Sequence, residues 1–241
     1  MVIDFCVPVK DEEPILEANA LKIYNYLKSQ SLNYDWRIII LVNGSKDNSY
    51  NIAKLLENKD SSKFKAFNME KGEKSLALKE YFKNSEADIL SFMDADLAVA
   101  LENIGELINP FLTEDYDLVI GSRLLPTSKI KRSYLREFSS RGYNKISRLL
   151  FKNNIHDLQC GFKAFKKSLF DKISPYLRDN KWFFDTELIL LAIHFNYRVK
   201  EIPVDWEENR YYKRKSKVKK IEAYGFIKKL FQFKKYLKKI A

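Results

Sequence analysis

The chain has 241 residues, of which 46% are apolar and 14% aromatic, so it can bury a sizeable core and is too apolar for a disordered protein. Its formal net charge of +11 is unevenly distributed, because residues 209–241 carry +12 and residues 1–208 carry −1. A neutral body with a basic tail indicates an anionic surface as a partner, either a membrane or a nucleic acid.

Strands and helices are predicted to alternate along the first half of the chain. The predicted strands are residues 2–9, 36–42, 64–69, 87–94 and 116–123, and the predicted helices are 14–30, 47–58 and 74–84. This alternation predicts an α/β fold with a mostly parallel sheet flanked by helices. Because ligands bind at the carboxyl ends of such strands, we expect the polar segments that follow each strand to form one rim.

The pattern changes after residue 124. The sequence predicts a basic, aromatic helix at 133–151, a loop entering a strand at 157–165, a helix at 182–195 and a strand at 198–206. No linker, internal repeat or low-complexity segment interrupts residues 1–208. We therefore predict one catalytic domain over residues 1–208, followed by a basic tail over residues 209–241.

Cysteine usage and hydropathy give an expectation about the compartment. Cys6 and Cys160 show neither metal-ligand spacing nor a disulfide framework, which favours a reducing compartment. The first residues read as a strand and not as a signal peptide, and the apolar helical stretch LILLAIHF is too short to span a bilayer. We expect a protein that is soluble or peripheral on a membrane.

Two carboxylates, Asp94 and Asp96, end the apolar run ADILSFM. Ionised carboxylates are costly to desolvate and repel each other, so two of them on one short turn usually share a cation. The alternative is a solvated turn in which Asp96 caps the following helix. Their place at the end of a predicted strand, on the expected rim, favours the cation.

An ordered set of motifs covers nearly the whole chain: VPVKDEE, LVNGSKDNS, EKGEKSLALK, MDADL, GSR, RSYLREFSS, DLQCGFKAF, WFFDTEL, EIPVDW and SK at 216–217. In this order they resemble the family 2 glycosyltransferases with the GT-A fold, and most closely the dolichyl-phosphate glucosyltransferase and mannose synthase group. The resemblance implies inverting transfer of a hexose from a nucleotide-diphosphate sugar, UDP-glucose or GDP-mannose, to a polyprenyl or dolichyl phosphate. It also implies a peripheral location on the cytoplasmic face of a membrane.

For the donor, the resemblance implies that Asp94 and Asp96 hold Mg²⁺ or Mn²⁺, for which oxygen ligands are suited. The donor-binding positions that it implies are Pro8, Val9, Glu12, Asn43, Lys71, Gly72, Lys74, Ala95, Asp96, Ser216 and Lys217. An ordinary helix-entry turn with solvated lysines is the alternative for positions 71–74. The family usually carries Asp at position 42 or 43, and Val42 and Asn43 stand there in this chain, so the nucleotide base stays open.

For the acceptor, the resemblance implies phosphate contacts by Arg123, Arg132, Arg136 and Gln159, since guanidinium groups match phosphate geometry. It assigns catalytic roles to Asp94, Asp96, Arg123 and Asp185. A lipid phosphate oxygen is already anionic, so its attack needs little help from a base. A solvated basic face is the alternative for the arginines, and a first-turn helix acid is the alternative for Asp185.

The tail contains the basic amphipathic stretch FIKKLFQFKKYLKKI. Its apolar stripe consists of Phe226, Leu230, Phe233, Leu237 and Ile240, with lysines on the other side. Such a helix suits an anionic membrane surface. The alternative is a helix docked on the body with a solvated lysine face.

Two other functions remain as alternatives to lipid glycosylation. One is a glycosyltransferase with a soluble glycan or protein acceptor, and the other is a non-catalytic membrane-surface binding module. Nucleic-acid binding fits the charge alone, but the sequence has no recognition motif for it. We therefore expect no nucleic acid among the partners.

Overall fold

The computed structural model describes residues 1–131, 134–208 and 220–240, with side chains for all of these except 134–136 and 220–224. The strands are β1 (Val2–Val9), β2 (Asp35–Asn43), β3 (Phe64–Met69), β4 (Ile89–Phe92), β5 (Leu118–Ser122), β6 (Lys129–Lys131), β7 (Lys163–Lys166), β8 (Val199–Pro203) and β9 (Asp205–Glu207). The helices are α1 (Glu13–Ser29), α2 (Ser49–Lys59), α3 (Lys74–Asn84), α4 (Asn103–Thr113), α5 (Tyr134–Phe151), α6 (Lys167–Ile173), α7 (Phe184–His194) and α8 (Lys220–Leu237).

Seven of the strands form one sheet in the order β3-β2-β1-β4-β7-β5-β8. Only β7 runs antiparallel, between β4 and β5, so the sheet is mostly parallel, as the sequence predicts. In the register of the central strands, Cys6 of β1 pairs with Ile39 of β2 and with Phe92 of β4. Strands β6 and β9 form a separate two-stranded parallel sheet.

Helices cover both faces of the sheet because side chains alternate between its faces along each strand. Ile3, Phe5 and Val7 of β1 belong to the core on the side of α1, α2 and α4. Cys6, on the same strand, belongs to the core on the side of α3, α6, α7 and α8. The molecule is therefore a three-layer α/β sandwich.

Besides the short elements β6 and α6, which were not predicted, the structure differs from the predicted elements in three places. Helix α4 follows the aspartate turn where no helix was predicted, since Gly105 and Pro110 weaken its helical pattern. The strand predicted at 198–206 is two strands, β8 and β9, which belong to different sheets and are separated by the buried Val204. The strand predicted at 87–94 ends at Phe92, so the aspartates lie on the turn beyond it.

The loops after β1 and β2 are joined at the carboxyl rim of the sheet. The backbone N–H of Asp11 donates to Ser45 Oγ at 3.0 Å, and that of Lys46 donates to Asp11 Oδ1 at 2.7 Å. The loop after β2 also meets the loop after β3, since a Cβ on Gly44 would lie 2.6 Å from the backbone N of Gly72. Gly44 has φ +65°, so glycine is favoured there on both grounds. The expectation that the polar loops form one rim is confirmed.

Helix α8 is docked on the body. Leu230, Phe233 and Leu237 are buried in the core shared with α5 and α7, and the Phe233 ring lies 5.9 Å from that of Phe183. The Lys234 ammonium also donates to the carbonyl of Leu150. Of the two alternatives for the tail, the structure shows docking, so the apolar stripe packs in the core and does not face outward. None of the helices in the described ranges is long and apolar enough to cross a membrane.

Candidate active site

The turn that carries the two aspartates is fixed by backbone contacts. The N–H of Met93 donates to the Cys6 carbonyl at 3.0 Å, and the Asn19 side-chain amide donates to the Ala95 carbonyl at 2.9 Å. Leu97, the next residue after the pair, has φ 51°, a left-handed conformation that is uncommon for leucine. Strained backbone of this kind concentrates at functional sites. Asn19 on α1 is a supporting residue that the sequence analysis missed.

Asp94 lies close enough to Asp96 to affect the pKa of Asp96. Burial, followed by repulsion from Asp94, raises the pKa of Asp96 to about 6, and Glu12 adds a smaller repulsion. Asp96 Oδ1 accepts a hydrogen bond from the N–H of Ala98 at 3.2 Å, whereas α4 begins only at Asn103. Asp96 therefore does not cap that helix, and the capping alternative is wrong. A bound cation would relieve the repulsion between the two carboxylates.

These residues fit a divalent metal ion as part of its ligand set. Their donors are carboxylate oxygens, which suit Mg²⁺ and Mn²⁺. Within residues 1–131, 134–208 and 220–240, no group of three or more His, Cys, Asp or Glu residues could hold a metal. Asp94 and Asp96 would hold the ion, and phosphate oxygens and water are suited to complete its coordination.

Lys74 brings a positive charge to the same rim. It is the first residue of α3, its side chain is 20% exposed, and its Nζ lies 2.5 Å from Asp94 Oδ1. Burial acts to lower the pKa of Lys74, but the charges of Asp94 and Asp185 outweigh it and raise the pKa. An ammonium group held here by carboxylates is placed to meet an anionic ligand of the ion.

Asp185 is paired with a buried lysine that the sequence analysis did not single out. Lys163 on β7 has no exposed surface, and its Nζ lies 2.6 Å from Asp185 Oδ1 and also donates to the Cys160 carbonyl. The nearby Gly161 packs on Asp94, because a Cβ there would lie 2.9 Å from Asp94 Cγ. A lysine between Phe162 and Phe165, in a segment expected to enter the sheet, was the available signal.

Arg123 is held by Asp157 just beyond the end of β5. Its Nε and Nη2 donate to the two carboxylate oxygens of Asp157 at 2.7 and 3.0 Å, and its N–H donates to Oδ2 at 3.1 Å. Burial acts to raise the pKa of Asp157, but Arg123 outweighs it and holds the pKa at about 2. Asp157 occupies the Nε/Nη2 edge of the guanidinium group, so the predicted phosphate contact of Arg123 would have to use the Nη1 side. Nη1 takes no part in this pair.

The remaining donor positions divide into buried and exposed ones. The side chains of Pro8 and Val9 are buried in the sheet, so these two can meet a ligand only through the backbone. Asn43 is 3% exposed, and its amide donates to the Val9 carbonyl at 2.8 Å, which fixes the end of β1. Lys71 and Gly72 are exposed on the rim. Ser216 and Lys217 lie outside the described residues.

The remaining acceptor positions are only partly described. Arg132 lies outside the described residues, and Arg136 lies in the first turn of α5, where side chains are not described. The N–H of Gln159 donates to Asp157 Oδ1 at 3.1 Å, which places Gln159 beside the arginine pair. Glu187, in the first turn of α7, accepts the backbone N–H groups of Arg178 and Asp179, each at 2.8 Å. Its role is to hold the loop before α7.

Most of the candidate site lies within residues that match a known protein family. The family model described as "Glycosyl transferase family 2" matches residues 4–174. The chain belongs to glycosyl transferase family 2. The match runs from β1 to the end of α6 and includes Lys74, both aspartates of the turn, and the Arg123–Asp157 pair.

Curated relatives support the dolichyl-phosphate group within this family. Glycosyltransferase AglD of Haloferax volcanii is 38% identical over 131 residues, which cover 54% of this chain and 21% of that protein. The dolichyl-phosphate beta-glucosyltransferases of Dictyostelium discoideum and Saccharomyces cerevisiae are 29% and 31% identical, over 84% and 72% of this chain and 65% and 57% of their own length. This chain therefore spans about a fifth to about two-thirds of these relatives.

Solved structures share the fold. Glucosyl-3-phosphoglycerate synthase of Mycobacterium tuberculosis, crystallised with UDP, superposes with a TM-score of 0.69 at 15% identity, covering 98% of this chain and 79% of the other. The same enzyme crystallised with Mn²⁺, UDP and phosphoglyceric acid gives a TM-score of 0.67 at 15% identity, covering 95% and 76%. The predicted GT-A fold is confirmed.

Proposed function

We propose that this protein transfers a hexose, with inversion, from a nucleotide-diphosphate sugar to a polyprenyl or dolichyl phosphate, with Mg²⁺ or Mn²⁺. The observation that carries this proposal is the pairing of Asp94 and Asp96 on the turn after β4, with Lys74 2.5 Å from Asp94. UDP-glucose is the preferred donor, since relatives at 29% and 31% identity are named dolichyl-phosphate beta-glucosyltransferases. GDP-mannose is the alternative donor.

On the donor side, Asp94 and Asp96 would hold the ion, and Lys74 would contact the diphosphate beside it. When bound, the metal ion supplies Lewis-acid stabilisation of the charge that builds up on the leaving diphosphate. Lys74 contributes to the same end, because its ammonium group stands beside Asp94 at the mouth of the site. Lys71 and Gly72 are exposed on the loop before α3, and the ammonium group of Lys10 lies over the Gly72 backbone, where it would add positive charge near the diphosphate.

On the acceptor side, the task is to bring a second anionic phosphate close to the diphosphate. Arg123 is suited to it through Nη1, while Asp157 fixes the orientation of the guanidinium group. Arg136, near the start of α5, is a second candidate for this contact. Because the phosphate oxygen is already an anion, no side chain has to remove a proton from it. In-line attack on the anomeric carbon gives a β-linked product.

We also propose that residues 1–208 form the catalytic unit and that the protein docks on an anionic membrane at the cytoplasmic face. The outward side of α8 and the turn after it support the membrane contact, since they expose four lysines: Lys228 and Lys235 on the helix, and Lys238 and Lys239 on the turn. Phe231, half exposed on the same helix, adds an apolar contact. The buried stripe of α8 fastens the helix to the body.

A donor and acceptor panel tests the reaction. UDP-glucose and GDP-mannose are each incubated with Mg²⁺ and a polyprenyl phosphate, with a soluble glycan, or with 3-phosphoglycerate, and products are separated by mass. The expected result is a hexosyl lipid from UDP-glucose that disappears when EDTA is added. Transfer only to a soluble acceptor would reassign the acceptor, and an absence of both transfer and donor hydrolysis would favour a non-catalytic module.

A further inference from the structure

The buried ammonium group of Lys163 lies beside two parts of the site, the segment that packs on Asp94 and the carboxylate of Asp185. Lys163 has no exposed surface, and its ammonium group, like that of Lys74, lies near the ring of Phe92, the last residue of β4. The Nζ atoms of Lys163 and Lys74 lie 5.5 and 5.7 Å from the centre of the Phe92 ring. Burying a charge in this way is costly unless the charge is paired and hydrogen-bonded, so its retention calls for a physical reason.

The hydrogen bonds of Lys163 reach two separate parts of the site. One goes to Asp185 Oδ1, at 2.6 Å, in the first turn of α7. Another goes to the carbonyl of Cys160, whose neighbour Gly161 packs against the Asp94 carboxylate. The same ammonium group therefore fixes the segment behind Asp94 and the carboxylate of Asp185.

We propose that Lys163 is a positioning residue, which holds the Cys160–Gly161 segment against Asp94 and holds Asp185 at the rim of the site. The inference rests on the proposed function in that Asp94 is taken as a metal ligand. Lys163 does not contact the metal ion or the sugar. It acts on the geometry of Asp94 through Gly161 and on Asp185 directly.

The Lys163→Met variant removes the charge at nearly constant volume. We measure the affinity of UDP for the full-length protein in Mn²⁺ by calorimetry, together with turnover and the thermal midpoint. Groups that support metal ligands typically contribute about 10- to 100-fold in metal affinity or activity, so we expect Mn²⁺-dependent UDP binding to weaken about tenfold. Asp185→Asn should reduce turnover while leaving Mn²⁺-dependent UDP binding close to that of the unchanged protein, because Lys163 still holds Cys160.

Arg37→Met provides the matched control. Arg37 pairs with the buried Asp4 at 2.7 Å near the opposite end of the sheet, so its loss should lower the thermal midpoint without changing UDP affinity. If Lys163→Met folds poorly, the double variant Lys163→Met, Asp185→Leu is used instead. It removes both charges, so neither is left unpaired, and replacing a buried ion pair with apolar residues is often neutral or stabilising. The double variant should bind UDP in Mn²⁺ more weakly than the unchanged protein does, because the hydrogen bond to the Cys160 carbonyl is absent.

Three results would overturn the proposal. The first is that both Lys163 variants bind UDP in Mn²⁺ as the unchanged protein does, and the second is that Asp185→Asn weakens binding as much as Lys163→Met. The third is that neither Lys163 variant folds, since Lys163 would then serve the core and not the site. If the unchanged protein binds UDP with Mn²⁺ but transfers no sugar to lipid, the proposed function fails while the binding comparison still decides this inference.

Discussion

Two arginine–aspartate pairs in this protein have the same local geometry and lie near opposite ends of the sheet. Arg37 donates to Asp4, and Arg123 donates to Asp157, in each case through Nε at 2.7 Å and Nη2 at 3.0 Å. Both aspartates have fully buried side chains. The chemistry of the pair therefore does not indicate what it does in the molecule.

The surroundings of the two pairs separate their roles. Asp4 also accepts hydrogen bonds from the hydroxyls of Tyr81 and Ser85, at 2.7 and 2.6 Å, which join β1 to α3 and to the segment before β4. Arg123 instead lies at the carboxyl rim, near enough to Asp94 for that charge to add to the rise in the pKa of Arg123. The first pair completes a packed structural network, and the second orients the Arg123 guanidinium group near Asp94. Position relative to the strand ends, and not pairing chemistry, distinguishes them.

The largest effect should come from the rim. We expect Asp96→Ala to abolish transfer, with a loss of at least about 100-fold, because a carboxylate there serves the ion and its charge contributes several kcal/mol to the transition state. The circular dichroism spectrum should stay native, and the thermal midpoint should not fall. The measurement is turnover in Mg²⁺ and in EDTA, and near-normal turnover in Asp96→Ala, or unchanged wild-type activity in EDTA, contradicts the metal site.

Matched changes in the two arginines test the comparison directly. Arg37→Met leaves Asp4 buried without its cation and should lower the free energy of unfolding by about 3 kcal/mol, with turnover per folded molecule unchanged. Arg123→Met should in addition reduce lipid-acceptor use, by about 2 kcal/mol or roughly thirtyfold, more than it weakens UDP binding. Urea unfolding and acceptor titrations measure these effects. A loss of turnover in Arg37→Met equal to that in Arg123→Met would remove the distinction between the pairs.

The inner and outer faces of α8 also differ in role, since the inner face packs in the core and the outer face is exposed. Phe233 is 4% exposed and Phe231 is 50% exposed, so Phe233→Ala should cost about 3 kcal/mol of stability and Phe231→Ala only a few tenths. For the same reason, deletion from Tyr224 onward is expected to destabilise the body and is not a clean removal of a tail. Thermal unfolding of both variants measures the difference. Equal midpoints would mean that α8 does not pack on the body in solution.

The sequence predicted the strand–helix order and the rim because hydrophobic periodicity and strand-end polarity are local signals. It placed Asp94, Asp96 and Lys74 at one site correctly, since all three follow strands of a parallel sheet. It did not reveal that Asp157 holds Arg123 or that Lys163 holds Asp185, because these pairs join segments 34 and 22 residues apart. It also left the orientation of α8 open, since an apolar stripe fits a core and a membrane equally well.

The metal site should carry a cost in stability when no metal is bound. The folded pKa of Asp96, about 6, is above the ordinary carboxyl value of 3.8, so the folded protein loses stability as pH rises from about 4 to 6. Asp96→Asn removes this cost and should raise the free energy of unfolding at pH 7 in EDTA by about 1–2 kcal/mol, after allowance for partial exposure. The two proteins should converge below pH 4. Urea unfolding across this pH range measures the effect, and a less stable Asp96→Asn at pH 7 in EDTA contradicts it.

The smallest effects should come from single lysines on the outer face of α8 and on the turn that follows it. Each of Lys228, Lys235, Lys238 and Lys239 is exposed, and each should contribute about 1 kcal/mol or less to binding vesicles that contain anionic lipid. Since the apolar stripe is buried in the body, little salt-resistant attraction remains, so vesicle binding should disappear as ionic strength rises and the Debye length shortens. Sedimentation with liposomes measures the loss for each Lys→Gln variant, and Lys59→Gln and Lys83→Gln, exposed elsewhere on the body, are the controls. Equal losses in the controls would mean that net charge and not α8 attracts the membrane. Binding that persists at high salt would mean that α8 leaves the body and inserts its stripe.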